Sequence, residues 1–313
     1  AALNLNTTGT SNVAVGKSAL DANTDGNRNT GLGESALGGN TSGDNNTAVG
    51  QGALAGNTTA NNNTAIGYQA LVANTTGIQN TAVGQAALDA NTTANYNVGI
   101  GANALGVNTT GAGNTAVGTF ALDANTTGTE NLAVGKSALG KNTTASDNTA
   151  LGSNALLENT TGDQNTAVGA DALRLNVTGS QNTALGKHAL YNNTADNNTA
   201  VGRSTLNQNT TGTGNTAVGT NALDALTTAN GNTAVGVDAL GACVTGAINT
   251  AVGRDAGQNL TGDSNTLIGE SAGEEITSGR RNTVLGRFNG NQDGLDIRTS
   301  NNYIVLSDGS GNP

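Results

Sequence analysis

Apolar residues fall along this chain as two close pairs in every seventeen positions, and polar residues fill the gaps. Gly16, Gly33, Gly50 and Gly67 mark the spacing, which holds to Gly186 and continues through Gly202, Gly219, Gly236, Gly253, Gly269 and Gly286 with two steps of 16. The consensus is N-T-A-V-G-x-x-A-L-x-x-N-T-T-G-x-x, present in 17 copies counting the truncated last one. Numbering from its first Asn, the apolar pairs are positions 3–4 and 8–9. No apolar stripe recurs at the three- and four-residue steps of a helix. A fixed period of this length is the mark of a repeat architecture, in which each unit buries its apolar side only by stacking on its neighbours. The expected fold class is therefore all-β: a parallel β-solenoid (β-roll), one coil per copy, each coil two short strands and two corners. At roughly 4.8 Å per strand spacing, 17 coils give a rod of about 80 Å.

Comparison of the copies shows what each position tolerates. Position 1 is Asn from Asn12 to Asn282, and position 5 is always Gly. An invariant glycine points to a positive φ or to a neighbour that leaves no space for a Cβ. Position 15 is Gly or Ala (Ala60, Ala94, Ala145), so it needs no positive φ. Position 12 is usually Asn but becomes Leu226, Cys243 and Ile276. Apolar replacements imply burial, and a buried Asn column is expected to stack as a hydrogen-bonded ladder. Val13, Val98 and Leu132 at position 2, and Val177 and Val244 at position 13, suit half-buried strand sites. Position 9 shrinks to Gly257 and Gly273 where position 3 grows to Leu267 and Val284. Cores tolerate swaps that conserve volume, so positions 3 and 9 are expected to share one layer. The two short copies keep N-x-T-[AG] as Asn192–Ala195 and Asn259–Gly262, which assigns the missing residue to the linker at positions 10–11 and places Asn193 and Leu260 at position 13. Positions 6, 7, 10, 11, 16 and 17 vary freely and are expected to face solvent.

Neighbouring strand residues point to opposite faces. With positions 3 and 4 both apolar, and positions 8 and 9 likewise, one face is expected to line the coil's thin core and the other to form an apolar stripe on the outside. An exposed stripe of that extent marks an interface.

Composition sharpens this picture. Aromatic residues are 2% of the chain, tryptophan and methionine are absent, and glycine numbers 47, so a large aromatic core is excluded. Net charge −10 disfavours nucleic acid, which demands clustered cations. No apolar run is long enough for a membrane-spanning helix, and no membrane insertion is expected. The chain begins at Ala1 without a signal peptide, as expected of a piece of a longer precursor. Cys243 is the only cysteine, which excludes an internal disulfide framework.

No catalytic, cofactor-binding or metal site is expected, and the chain is read as not an enzyme. His188 and Cys243, the only residues of their kinds, share no spacing that would pair them. Gly99-Ile100-Gly101 is an ordinary copy rather than a dinucleotide fingerprint. Asn289–Gly294 matches the front of a calcium loop, but Ser300 would stand where the bidentate carboxylate belongs, so a plain turn is expected. The N-T-T triplets are formal glycosylation acceptors that are better explained as corner and ladder residues. A threonine array could match ice, but the apolar and charged interruptions argue against it. A glycan-cleaving β-helix needs clustered carboxylates, whereas Asp21, Glu34, Asp44 and Asp89 scatter over corners.

N-T-A-V-G-x-x-A-L resembles the repeats of the YadA-like heads of trimeric autotransporter adhesins, although those coils are shorter than 17 residues. The longer form, N-T-A-V-G-x-x-A-L-x-x-N-T-T-G, is similar to repeats of phage tail fibres and related surface fibres. In those, repeats often precede a segment similar to Leu295–Arg298 and Tyr303–Gly309, which leads into a chaperone domain that trimerises the fibre and is cleaved off. The resemblance implies left-handed coils packed as a homotrimer, extracellular on a virion tail or a cell surface. It implies a structural and adhesive fibre shaft, most simply a phage tail fibre; the alternative is a bacterial trimeric surface adhesin or filament subunit. A host or surface receptor, such as a glycan, would be engaged through regions outside this chain. Residues 1–286 form the expected shaft. Residues 287–313, with turns at Asn289–Asn291 and Asp293–Gly294 and two strands after them, form a cap or transition segment.

Overall fold

A computed structural model describes all 313 residues, and the chain divides into two units, 1–161 and 162–313. Each unit is a parallel β-solenoid without a helix. The first carries β1 (Val13–Val15) through β9 (Thr149–Leu151), and the second β10 (Thr166–Val168) through β17 (Thr283–Leu285), one strand per coil. Strands pair in parallel with like residues abreast: Thr47 on Thr64, Ala48 on Ala65, Val49 on Ile66. The period of the sequence is thus the period of the ladder.

The expectation of two strands per coil is corrected. Only positions 2–4 are extended. Position 5 is a bend and positions 6–11 run as consecutive turns, and positions 7 and 9 have left-handed backbones, as at Ser18 (φ 57°) and Leu20 (φ 50°). A bulky residue with positive φ is uncommon, and no β-strand can pass through it. The turns still stack coil on coil, because Leu20 N–H donates to Ala36 O and Ala22 N–H to Gly38 O. The strain of the left-handed leucine is offset by complete burial of its side chain. Gly257 and Gly273 at position 9, and Gly52 at position 7, take the same positive φ without strain.

At position 5 both reasons for glycine hold. Gly118 has φ +137°, and a Cβ there would lie 2.5 Å from Gly135 O of the next coil. Position 15 has no positive φ, as its alanines imply.

The core is one side chain thick: positions 3, 8 and 9 are buried, with the asparagines of positions 1 and 12 beside them. The shared layer of positions 3 and 9 is present. A Cβ on Gly257 would lie 2.7 Å from Leu267 Cδ1, and one on Gly273 2.8 Å from Leu267 Cδ2, so Leu267 fills the space that two leucines vacate.

Two asparagine columns serve as the polar part of the core. At position 12, Asn40 Nδ2 donates to Asn23 Oδ1 at 2.8 Å and to Gly43 O at 3.0 Å. At position 1, Asn46 N–H donates to Asn29 Oδ1 at 2.9 Å, and its Nδ2 donates to Ala60 O at 2.8 Å. Ala60 O also accepts from Asn57 Nδ2 at 3.1 Å. The position-15 carbonyl therefore takes two buried amide donors, which satisfies groups that would otherwise be costly to bury. At position 13, Thr41 Oγ1 donates to Thr58 O at 3.0 Å.

The placement of the deletions is also corrected. Asn193 and Leu260 are fully buried, and their N–H groups donate to Leu190 O and Gly257 O, the bond that position 12 makes in other coils. Thr194 and Thr261 make the position-13 bond. The residue lost is the exposed threonine of position 14, not one from positions 10–11. Burial decides the register here, since a polar-for-polar alignment of N-x-T cannot. Leu260 then joins Leu226, Cys243 and Ile276 in four consecutive coils whose position 12 is apolar.

After β17 the repeat ends. β18 (Asn291–Gln292) and β19 (Leu295–Asp296) form an antiparallel hairpin about Asp293–Gly294, both of positive φ as a two-residue hairpin turn requires. Asn291 is thus a strand residue rather than part of a turn. β20 (Ile304–Leu306) pairs in parallel with β17, and Phe288, just after β17, is fully buried.

Candidate interaction surfaces

Within each strand the middle residue points inward and the outer two point away from the core. Position 2 contributes a column of threonines broken by Val13, Val98 and Leu132, and position 4 a column of valine, isoleucine and leucine. Val15, Leu32, Ile66 and Ile100 in the first unit are each about two-fifths or more exposed. Leu185, Ile268 and Leu285 in the second are similar, and Leu306 on β20 reaches 66%. The parallel register spaces these side chains one strand apart with no polar residue interrupting the column. The stripe expected from the paired apolar positions is present on both units.

Charge lies to the side of this face. At position 6, Lys17 approaches Glu34 at 3.6 Å, and Glu270 bridges Arg254 and Arg287. These exposed pairs hold the coils in register only weakly. Position 10 is less exposed than its variability suggests. Burial raises the carboxyl pKa of Asp89 and of Asp123, and Asp89 pushes Asp123 further. Gly106 stands between these two in the column, and a Cβ there would lie 3.0 Å from Asp123 Oδ1.

His188 and Cys243 are not brought together. Cys243 is fully buried in the position-12 column with its Sγ 3.6 Å from Gly246 O, and burial pushes its thiol pKa up to about 11. A thiol so placed is protonated and inert. His188 sits at the surface of the second unit, edge-on to Tyr191 with ring centroids 5.5 Å apart, and its Nε2 is 3.7 Å from Asp171. Nothing in the one-letter spacing of this repeat singles out that grouping, because it forms across two adjacent coils. The calcium-like segment is the β18–β19 hairpin, where Asp296 is engaged by Arg298. No group of three His, Cys, Asp or Glu side chains is arranged to hold a metal ion. From Asn57 onward, the N-T-T asparagines are buried, with their amides spent on the ladder. No helix is long and apolar enough to cross a membrane. Compared with known proteins, the chain matches no family model and no curated protein sequence.

Proposed function

We propose that this chain is the shaft of an extracellular fibre, structural and adhesive rather than enzymatic, and most simply of a phage tail fibre. The coils are read as left-handed and the fibre as a homotrimer, in which the position-4 stripe of each chain packs against its sister chains. One observation carries the reading: a column of Val, Ile and Leu, half-buried to exposed, runs along the outer strand face of both units, in register from coil to coil. Apolar surface of that extent is stabilised by being covered, and a surface repeating at the strand spacing is matched best by another with the same period. A second copy of the chain has that period by construction.

The test is the mass of the purified chain in solution. A species of three times the chain mass is expected by sedimentation equilibrium, and Ile66→Lys with Ile100→Lys should dissociate it while leaving the β circular-dichroism signal unchanged, since both side chains point away from the core. A wild-type chain that sediments as a monomer would overturn this reading. Sequence flanking the shaft separates phage from bacterial use: a cleaved chaperone domain belongs to the first, a membrane-anchor barrel to the second.

A further inference from the structure

The second unit carries a depression on its repeating surface. Three consecutive coils contribute Arg174, His188, Tyr191, Asn192, Asn207 and Gln208, which line a space of about 270 Å³. The chain has one histidine and four tyrosines among 313 residues, and here one of each is packed edge-on at 79°. The Arg174 guanidinium lies 5.9 Å from the Tyr191 ring centroid and donates from Nη1 to its hydroxyl at 3.3 Å. Other coils leave the same two columns as small as Ser35 with Gly38 or Gly52 with Ala55, so the repeat alone does not call for this wall.

The lining is amide-rich and carries one cation, Arg174. Arg174 is paired with Asp171 at 3.3 Å, which compensates its charge. Asn192 Nδ2 donates to Gln208 Oε1 at 3.3 Å, and Gln208 Nε2 to Asn207 Oδ1 at 2.8 Å, so three planar amides are linked at the rim. Amides both donate and accept, as adjacent hydroxyls require of a partner. Aromatic rings offer an apolar face to ring C–H groups. Arg174 Nε–H is buried without an acceptor, so internal stability alone does not account for the cluster. The volume sits just below the range of sites for drug-sized ligands, which suits a single monosaccharide unit. With net charge −10 on the chain, anions are disfavoured.

We propose that this depression is a lateral binding subsite for one neutral saccharide residue, its hydroxyls held by the Asn192, Asn207 and Gln208 amides and its ring resting on the Tyr191–His188 wall. The site lies within one unit of one chain, so it stands whether or not the shaft trimerises.

His188, as the only histidine, gives one Cε1–H proton resonance that reports the site without labelling. The full chain at constant pH is titrated with methyl glucoside, methyl galactoside and N-acetylglucosamine, with acetate and inorganic phosphate as anion comparators. The expected result is a saturable shift with at least one neutral sugar, with a Kd of roughly 1–10 mM for so shallow a site. Tyr191→Ala and the rim variant Gln208→Ala should each weaken it about tenfold with an unchanged unfolding midpoint, whereas Tyr68→Ala should leave it unaltered. If Tyr191→Ala fails to fold, Gln208→Ala carries the test. No saturable shift with any of the sugars, a shift from the anions alone, or wild-type affinity in Gln208→Ala would each overturn the proposal.

Discussion

At the scale of the residue, the position-12 column shows how a polar core is made safe and where it stops being so. Asn108 Nδ2 donates to Asn91 Oδ1 and Gly111 O, and its own Oδ1 accepts from Asn125 Nδ2. Asn108→Leu would strand an acceptor on one side and a donor on the other. A loss of about 2–4 kcal/mol is expected in denaturant unfolding, since each buried orphan costs roughly 1–3 kcal/mol. Asn209 is the last rung before Leu226, and its Oδ1 is buried with no partner. Asn209→Leu removes that orphan. The oxygens it served, Asn193 Oδ1 and Gly212 O, keep Asn198 Nδ2 as a donor, so a change within about 1 kcal/mol is expected. Equal losses in the two variants would show that the ladder is not what matters. Two rungs further along, Cys243 should resist thiol reagents at neutral pH and react only on unfolding, because its pKa is about 11 and no reagent can reach it.

At the scale of the coil, volume is conserved across positions rather than within them. Gly257→Leu would drive a side chain into Leu267, whose Cδ1 is 2.7 Å from where the new Cβ would lie. Leu267→Ala alone would leave a cavity between Leu240 and the two glycines, at a cost of about 2–5 kcal/mol. Combining the two restores the ordinary pairing on the Gly257 side and leaves only the space beside Gly273 open, so the double variant should be more stable than the sum of the singles by about 1–3 kcal/mol. Additive losses in a double-mutant cycle would deny the shared layer. The left-handed leucine belongs to this scale too. Its conformation is held by coil-to-coil hydrogen bonds on either side, so the turn segment depends on stacking as much as the strand does.

At the scale of the whole molecule, desolvated carboxylates set the response to pH. Burial raises the pKa of Asp89, Asp123, Asp224 and Asp255, helped for Asp224 by Asp238, while Arg254 partly opposes the rise at Asp255. A carboxyl with a folded pKa above its ordinary 3.8 holds more protons folded than unfolded between the two values. Stability therefore falls as pH rises through that window and is recovered on acidification. Asp296 and Asp308 act oppositely: hydrogen bonds from Arg298 and from Asn312 lower their pKa, so their contribution is lost only below about 3.8. The thermal midpoint should rise from pH 7 toward about pH 4 and fall below it, and Asp123→Asn should flatten the rise. A midpoint that falls steadily from pH 7 downward would contradict this balance.

The one-letter sequence determined the coil, because a stacked repeat displays each position many times and its exceptions report burial directly. Leu226 and Ile276 revealed the inside of position 12, and Gly257 beside Leu267 revealed a shared layer. Backbone conformation was another matter. A nearly invariant leucine hides its positive φ, and only the scattered glycines at positions 7, 9 and 17 hinted that part of the coil was turn rather than strand. The deletions stayed ambiguous because Asn and Thr are interchangeable in an alignment, whereas a buried column admits one register. The grouping of His188, Tyr191 and Arg174 arose only on stacking, which sets side by side residues that lie up to seventeen apart along the chain.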